Sequence, residues 1–259
     1  MNTGRYMKKE MLYNNFYSGL SGLELPIPKY LFPEPHQNSS RLTYYSTFFN
    51  SIEINKTFYK LPLAKTITKW VSEVPDNFKF TFKLWKEITH VKNLDFKEAD
   101  VEAFFKVISA AGHKKGCLLV QFPPGLGKSH IMQLEALLRC IDQNNPNYEW
   151  KIAIEFRNKS WYDTDVYDLL DSFKAAIVIQ DLPKSRTPVL THTSDFIYVR
   201  FHGPTGNYRD SYSESFLSEY AIYIKEWLEE GKTVYSYFNN TMGDAFKNSD
   251  MLNRFVLLE

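Results

Sequence analysis

Short runs of apolar, β-branched and aromatic residues recur along the chain, and most of them end in polar residues, Gly or Pro. Runs of this length and composition are typical of buried strands. We therefore predict eight strands. In chain order they are residues 15–18, 51–55, 78–84, 117–122, 151–156, 176–181, 196–202 and 233–239.

Between these runs, apolar residues recur at spacings of three and four, which predicts amphipathic helices. The repeating groups are Leu42, Tyr45, Phe48 and Phe49; Val101, Phe104, Phe105 and Ile108; Ile131, Leu134, Leu137, Leu138 and Ile141; and Ala221, Ile224, Trp227 and Leu228. Asp100, Asp163 and Ser213 are suitable N-caps for the helices that follow them. Gly231 follows the last group and is typical of a helix C-terminus.

Strands that alternate with helices form parallel sheets, because each helix returns the chain to the same edge. Eight such units in a chain of 259 residues predict an α/β fold with a single closed (β/α)8 barrel of the TIM type. An open doubly wound sheet is the main rival, but the segment from Gly19 to Gly22 lacks the GxGxxG spacing of that fold. The connection after the sixth strand should be irregular, since Pro183 and Pro188 interrupt a short segment. Residues 23–35, with four prolines, should form an extended surface loop.

No linker or low-complexity tract divides the sequence, so we expect one domain over residues 1–259, with residues 1–14 as an N-terminal extension. The chain has 31 Lys and Arg against 30 Asp and Glu, which argues against binding of extended nucleic acid. No apolar run suits a membrane span or a signal peptide. Two cysteines fit a reducing compartment, and we therefore expect a cytoplasmic protein. The sequence leaves the oligomeric state open.

Side chains alternate between the two faces of a strand, so the polar face of each predicted strand can be followed to its carboxyl end. In the fifth strand Glu155 and Arg157 share one face, and in the seventh Arg200 and His202 do. In a barrel of this type the apolar faces meet the helices, and the polar residues gather at the carboxyl ends of the strands, a region called the mouth below. The predicted ring is Glu53, Asn55, Lys83, Gln121, Glu155, Arg157, Asp181, Arg200, His202, Tyr237 and Asn239.

Several segments resemble the DUF72 family, also called YecE-like. They are the residues at 51–55 and 57–59, close to the signature VEINSTFY, and those at 82–83, 88–90, 120–124, 154–157, 160–161, 198–203 and 237–240, with Gly243, Ala245 and Asn248. The resemblance spans roughly residues 16–250 in the family's order. It implies a TIM-type barrel and brings no assigned reaction with it. Leu23 stands where the family commonly has an aromatic residue.

We predict an enzyme that uses acid–base catalysis on a small polar substrate, either anionic or polyhydroxylated. Hydrolase, lyase and isomerase activities all fit this chemistry. Glu155 and Glu53 are the candidate acid and base, His202 a proton shuttle, and Lys83 a catalytic or stabilising cation. The predicted substrate-binding residues are Asn55, Tyr59, His90, Gln121, Arg157, Trp161, Asp181, Arg200, Tyr237, Asn239 and Asn240.

Alternative interpretations remain open. The ring could hold a phosphate or carboxylate through Lys83, Arg157 and Arg200, with the amides around Gly243. A divalent metal on the carboxylates is possible but not favoured, because three cations share the same region. A protein that binds a ligand or a nucleic-acid component without chemistry would use the same pocket, and a purely structural ion-pair network is a further alternative. The Walker-like segment 125–129 lacks its first Gly, and His36, His113, His130, His192 and Cys117 belong to no constellation.

Overall fold

The computed structural model of the chain describes residues 14–188 and 194–257. Strands alternate with helices through this part of the chain, and every paired strand is parallel to its neighbour. The strands are β1 (Phe16–Leu20), β2 (Ser51–Ile54), β3 (Lys79–Lys83), β4 (Lys115–Gln121), β5 (Lys151–Glu155), β6 (Ala176–Ile177), β7 (Ile179–Gln180), β8 (Phe196–Phe201) and β9 (Thr233–Phe238). The predicted α/β class with parallel strands is confirmed.

The strands form two sheets, with the orders β1-β9-β8-β7 and β2-β3-β4-β5-β6. The predicted sixth strand is divided between them, because it breaks at Val178. The amide of Val178 donates to the carbonyl of Ile154 in one sheet at 2.9 Å. Its carbonyl accepts from the hydroxyl of Thr187 at 2.7 Å, so a side chain occupies the place of a ladder bond.

Side chains rather than backbone ladder bonds join β1 to β2. The amide of Asn50 donates to the carbonyl of Phe16 at 2.8 Å, and its oxygen accepts from the backbone of Ser18 at 2.9 Å. The hydroxyl of Tyr45 accepts from Leu20 and donates to the carbonyl of Ser51. The backbone ladder is therefore not continuous around the strands, and the closed (β/α)8 barrel is not confirmed by it.

Helices cover the outer faces of both sheets. They are α1 (Arg41–Tyr45), α2 (Ala64–Ser72), α3 (Lys86–Thr89), α4 (Glu98–Ile108), α5 (Ile131–Asn144), α6 (Thr164–Ser172), α7 (Glu214–Glu229) and α8 (Ala245–Leu257). Asp163 and Ser213 are N-caps as predicted, since each side chain accepts a hydrogen bond from the first turn. The prediction for Asp100 is wrong, because α4 begins at Glu98 and Asp100 lies inside its first turn. The first helix is also shorter than predicted, and Phe48 and Phe49 follow its end.

The irregular connection after the sixth predicted strand is confirmed within the described residues 181–188 and 194–195, where no helix forms. The surface loop at 23–35 contains two short 3-10 turns, Lys29–Leu31 and Glu34–His36. His192 and nearly all of the expected N-terminal extension lie outside the described residues. No helix in the described ranges combines the length and the apolar character that crossing a membrane requires.

The strands are buried on both faces, as parallel sheets require. An inner cluster lies between the two sheets and consists of Cys117, Leu119, Ala153, Ala176, Val178, Phe196, Tyr198, Tyr235 and Tyr237. A larger outer core packs the opposite faces of the strands against the helices, with Ile152, Ile154 and Phe156 from the fifth predicted strand. The predicted alternation in this strand and in β8 is therefore correct, and it sends Glu155 and Arg200 inward.

Candidate functional site

A charged network closes the inner cluster at the mouth. Arg200 forms a bidentate ion pair with Glu53, in which Nε donates to Oε2 at 2.9 Å and Nη2 donates to Oε1 at 2.6 Å. The hydroxyl of Tyr198 donates to the same Oε2 at 2.5 Å. Both members of the pair are almost inaccessible to solvent, with side-chain exposures of 1% for Arg200 and 0% for Glu53. A planar two-point contact of this kind is the strongest geometry available to an ion pair.

Arg200 also binds the second carboxylate, so the network is one unit and not two private pairs. Its Nη1 donates to Oε2 of Glu155 at 2.6 Å. The other oxygen of Glu155 accepts from Nε of Arg157. The sequence places these groups together because Arg200 and Glu155 lie on inward positions near the ends of β8 and β5.

The two glutamates stay ionised at neutral pH. Burial alone would raise the pKa of Glu53, but the charge and hydrogen bonds of Arg200 outweigh it and hold that pKa below its ordinary value. Burial likewise opposes ionisation of Glu155, and the charges of Arg157 and Arg200 lower its pKa far below the ordinary range. Neither carboxylate can then supply a proton at pH 7, which does not fit the predicted role of a general acid.

His202 is fixed in one orientation. Asp181 Oδ1 accepts from the backbone amide of His202 at 2.9 Å and lies 3.3 Å from its Nδ1. On the other side, Nε2 lies 3.1 Å from Nη1 of Arg200 and 3.3 Å from Nη2 of Arg157. A ring between a carboxylate and two guanidinium groups carries its proton on Nδ1 and accepts at Nε2. Burial lowers the pKa of His202, so the imidazole is neutral.

The loop after β8 brings two tyrosines to this network. The hydroxyl of Tyr208 accepts from Nη1 of Arg157 at 3.1 Å, and the hydroxyl of Tyr212 donates to Oδ2 of Asp181. The loop packs so closely that a Cβ on Gly203 would lie 2.4 Å from the carbonyl oxygen of Arg209. Gly203 also has φ +97°, a conformation that only glycine adopts readily.

Lys83 lies beside the network without joining it. Its Nζ donates to the amide oxygen of Gln121 at 2.8 Å and sits 4.2 Å from the centre of the Phe58 ring. Gln121 is itself oriented by a 2.7 Å hydrogen bond to the carbonyl of Phe122. Burial and the charge of Arg200 lower the pKa of Lys83 to about 8, against smaller opposing effects of Glu155 and Glu53. Among the described residues no carboxylate forms an ion pair with this ammonium group.

Three predicted residues lie at the rim. The ring of His90 packs edge-on against Phe58, and its Nδ1 shares a 2.9 Å hydrogen bond with Thr89. Partial burial and the charge of Lys83 lower the pKa of His90 to about 4, so it is neutral at pH 7. Tyr59 is 69% exposed, and Asn55 donates to the carbonyl of Ser21 at 3.3 Å while its own amide oxygen is buried without a partner in the described structure.

Two other predicted site residues, Trp161 and Tyr237, pack and form hydrogen bonds inside the protein. Trp161 is fully buried, stacks on Phe156 and donates to the carbonyl of Leu126, so it offers no surface to a ligand. Tyr237 lies below the network, where its hydroxyl bonds to Ser51 at 2.6 Å and to Thr81 at 2.7 Å.

Asn239 and Asn240, which follow β9, also form hydrogen bonds within the protein. Asn240 donates to the carbonyl of Asp210 and to Asn248, and it thereby anchors the loop after β8. Asn239 is half-buried, and its backbone amide donates to Phe201.

The backbone amides around Gly243, which were predicted to bind an anion, are hydrogen-bonded to other parts of the protein. The amides of Met242 and Asp244 donate to carbonyl groups of Tyr208 and Asp210, and the amide of Gly243 donates to Asn240. With Arg200 fully buried, Lys83 and Arg157 are the predicted cations that remain partly exposed. Within residues 14–188 and 194–257, no group of three or more His, Cys, Asp or Glu is placed to hold a metal ion.

Two cavities of about 320 Å³ each lie around the strands. One adjoins the network at Asp181 and Tyr212, with Arg186 on its wall. The other lies at the opposite end, near the start of β5 and β8, where Trp150 and Phe196 line it. Asp181 is the one member of the predicted ring that lines the first cavity, and Lys83 and Arg157 are not among its lining residues.

Three tyrosines of the site were not among the predicted site residues. Tyr198 shares the inward face of β8 with Arg200, so the alternation of that strand contains the information needed to place it. Tyr208 and Tyr212 come from a loop with several positive φ angles, and no periodic pattern marks their positions. Only the tertiary packing of that loop reveals them.

The chain matches one family over nearly its whole length. The family described as "Protein of unknown function DUF72" matches residues 17–258. The chain is similar to the "UPF0759 protein YunF" of Bacillus subtilis (strain 168), with 26% identity over 268 residues, 88% of this chain and 91% of that protein. It is 28% identical to the "UPF0759 protein YecE" of Escherichia coli (strain K12) over 118 residues, 46% of this chain and 42% of that protein.

Solved structures with the same fold carry the same family description. A DUF72 family protein of Thermotoga maritima MSB8 superposes with a TM-score of 0.71 at 26% identity, over 93% of this chain and 98% of that one. A DUF72 family protein of Enterococcus faecalis V583 gives a TM-score of 0.75 at 20% identity, over 94% and 96% of the two chains. The second likeness bears on the fold alone.

Proposed function

The chain belongs to the DUF72 family, and from its own geometry we propose that it is an enzyme that binds a small anionic substrate at the mouth and uses Lys83 for proton transfer. We place it in the cytoplasm and regard its two sheets as one barrel of the TIM type. The side-chain bridges of Asn50 and Tyr45 between β1 and β2 support that closure.

The main observation behind the proposal is that the negative groups at the mouth are buried while the positive groups are partly exposed. The carboxylates of Glu53 and Glu155 are fully buried, whereas Arg157 and Lys83 reach partial exposure. A third carboxylate, Asp181, is also partly exposed, but its oxygens accept hydrogen bonds from His202 and Tyr212. On the side of Lys83 and Arg157, a ligand that arrives from solvent therefore meets cations first. Such an arrangement attracts an anion, because the buried carboxylates are already neutralised by their own partners.

Lys83 is the group best placed to move a proton. A base works best when its pKa lies near the operating pH, and the pKa of Lys83 is lowered to about 8. Glu53 and Glu155 are held ionised, and His202 is fully buried with both ring nitrogens engaged. We assign these three residues to positioning Arg200 and Arg157, in place of the acid, base and shuttle roles that the sequence suggested.

Binding without chemistry is the second candidate. The specific observation in its favour is that the buried Arg200 makes close contacts with Glu53, Glu155 and His202, which hold the network rigid beneath the mouth. The two candidates differ in the fate of the ligand. An enzyme converts it, whereas a binding protein releases it unchanged.

Thermal denaturation in the presence of phosphate, sulfate and small dicarboxylates tests the shared premise. We expect anions to raise the Tm of the wild type and of Lys86→Met, a control at an exposed lysine in α3. Lys83→Met should lose most of that shift. Equal anion shifts in all three proteins would refute the anion site. Mass spectrometry of a metabolite extract incubated with the wild type or with Lys83→Met then separates turnover from binding.

A further inference from the structure

We propose that the side-chain amine of Lys83 is a nucleophile that forms an imine with a carbonyl group, and that the substrate is a small 2-oxo acid. This inference rests on the proposed function, since it uses the same anion-attracting mouth. It adds the chemical class of the substrate, and it gives the neutral amine of Lys83 a covalent step, attack on a carbonyl carbon, in place of proton abstraction. Three features of the site support it: the partners of the amine, the charges that face it, and the hydrogen-bond donors left unused nearby.

The partners of Lys83 favour a free amine. A lysine paired with a carboxylate is locked as an ammonium ion, but the carboxylates of Glu53 and Glu155 are committed to the arginines. Gln121 is neutral, and its oxygen holds Nζ at 2.8 Å. The Phe58 ring covers one side of the nitrogen, and its face attracts the ammonium form, but it carries no net negative charge. The nitrogen is thus held by Gln121 and Phe58, and no carboxylate ion pair among the described residues retains its proton.

The charges that face Lys83 act in the same direction. Burial and Arg200 have the largest lowering effects on its pKa, and Arg157 adds to them, while Glu155 and Glu53 oppose. With a pKa of about 8, about a tenth of the amine is neutral at pH 7, against less than about one part in a thousand for an ordinary lysine. A lysine beside other cations is a known route to an amine nucleophile at neutral pH.

Unused donors beside Lys83 favour a carboxylate on the substrate. Arg157 directs three of the five N–H groups of an arginine at Glu155, Tyr208 and His202, which leaves two. The hydroxyl of Tyr208 accepts from Arg157, and its own hydrogen has no acceptor among the described residues. These donors suit a carboxylate. Lys83 binds Gln121, Gln121 pairs with Glu155 in the sheet, and Glu155 binds Arg157, so the two cations lie on the same side of the mouth.

Imine formation needs only the Lys83 amine and the carbonyl compound as reactants. The lone pair of the neutral Lys83 nitrogen forms a bond to the carbonyl carbon, and the carbonyl π pair moves to oxygen. Both amine hydrogens then leave with that oxygen as water, and a C=N bond remains. No oxidant or reductant takes part. A proton from solvent water makes this imine cationic, and the cationic imine then draws electrons from the neighbouring carbon.

Reductive trapping tests this chemistry. The intact protein is incubated with glyoxylate or pyruvate and sodium borohydride, and the modified lysine is located by peptide mass spectrometry. We expect one stable adduct at Lys83 in the wild type and in Lys86→Met, and none in Lys83→Arg. The rate of trapping should rise with pH through a midpoint near the pKa of about 8. Replacing Arg157 with Lys should raise the oxo-acid concentration for half-maximal trapping by about tenfold or more.

The outcomes separate this inference from the function on which it rests. An anion-dependent Tm shift with no borohydride adduct would overturn the imine and leave the anion-binding mouth in place. Equal labelling of Lys83 and Lys86 would also overturn it, because the reaction would then be nonspecific. Absence of any Tm shift would refute the proposed function itself. Thermal melts of each variant show whether a lost adduct reflects a lost fold.

Discussion

Arg200 and Glu53 meet edge to edge, through parallel hydrogen bonds of 2.9 and 2.6 Å from Nε and Nη2 on one edge of the guanidinium group. They lie on strands of different sheets, β8 and β2, and are therefore joined by tertiary structure alone. Arg200 reaches Glu155 with its remaining terminal nitrogen. One cation thus ties the two sheets together at the mouth.

Replacing Arg200 with Met should destabilise the protein strongly. The variant leaves the carboxylates of Glu53 and Glu155 buried without their shared partner, a loss that typically costs about 3–5 kcal/mol of unfolding free energy. Urea denaturation measures it. The matched control is Arg254→Met, whose exposed pair with Asp250 should contribute less than about 0.5 kcal/mol. Similar losses for both variants would contradict the shared role of Arg200.

The stabilising effect of Glu155 should depend on pH in the acid range. Its pKa in the folded state lies below its usual 4.5, so the folded state binds fewer protons than the unfolded chain. The stabilisation is therefore complete above about pH 5 and decreases as the pH falls below the unfolded pKa. In urea denaturation, the difference in unfolding free energy between the wild type and Glu155→Gln should become smaller from about pH 5 to pH 3. A difference that stays constant would mean that Glu155 is not ionised in the fold.

Removing Lys83 should stabilise the protein at neutral pH. The folded-state pKa of about 8 lies below the usual 10.5, so the charged form is disfavoured in the fold. That penalty is complete below about pH 8 and is relieved as the pH rises toward about 10.5. Lys83→Met should therefore exceed the wild type in Tm at pH 7, with a difference that shrinks at alkaline pH. Lys86→Met should match the wild type, and a Lys83→Met variant with a lower Tm would reverse our interpretation.

Gly19 should not tolerate a side chain. A Cβ there would lie 2.0 Å from the carbonyl oxygen of Ser51, so β1 and β2 would have to separate. We expect Gly19→Ala to lower the unfolding free energy by about 3 kcal/mol or more. Gly125→Ala is the control, because the corresponding Cβ meets nothing within 4 Å. Faster hydrogen exchange at the Ser18 amide would locate the damage at the junction between these strands.

Periodicity predicted the inward and outward faces of β5 and β8 correctly because both faces are buried. Apolar residues such as Ile154 and Val199 mark the helix side, and the polar residues between them, Glu155 and Arg200, must then lie inside. The ion-pair network follows from that alternation. Its partners could not be predicted, since the sequence does not specify which inward cation reaches which carboxylate.

Other features depend on contacts between distant segments. The break of the sixth predicted strand at Val178 involves the hydroxyl of Thr187, a residue outside the strand. Trp161 follows a strand like a site residue but stacks on Phe156 in the outer core. The helices at Ala64–Ser72 and Ala245–Leu257 were not predicted, although Ile67, Trp70 and Val71 in the first and Leu252, Phe255 and Val256 in the second recur at helical spacing.

The tyrosines of the inner cluster fill the interior directly below the mouth. Tyr198, Tyr235 and Tyr237 fill the space beneath Glu53 and Arg200, and they are almost wholly buried. The mouth is therefore closed toward the inner cluster, and a substrate of the proposed enzyme would enter and leave from the same side. Selectivity for that substrate would then depend on the loops that frame this entrance, and the buried charges below would set the charge of the group that it accepts.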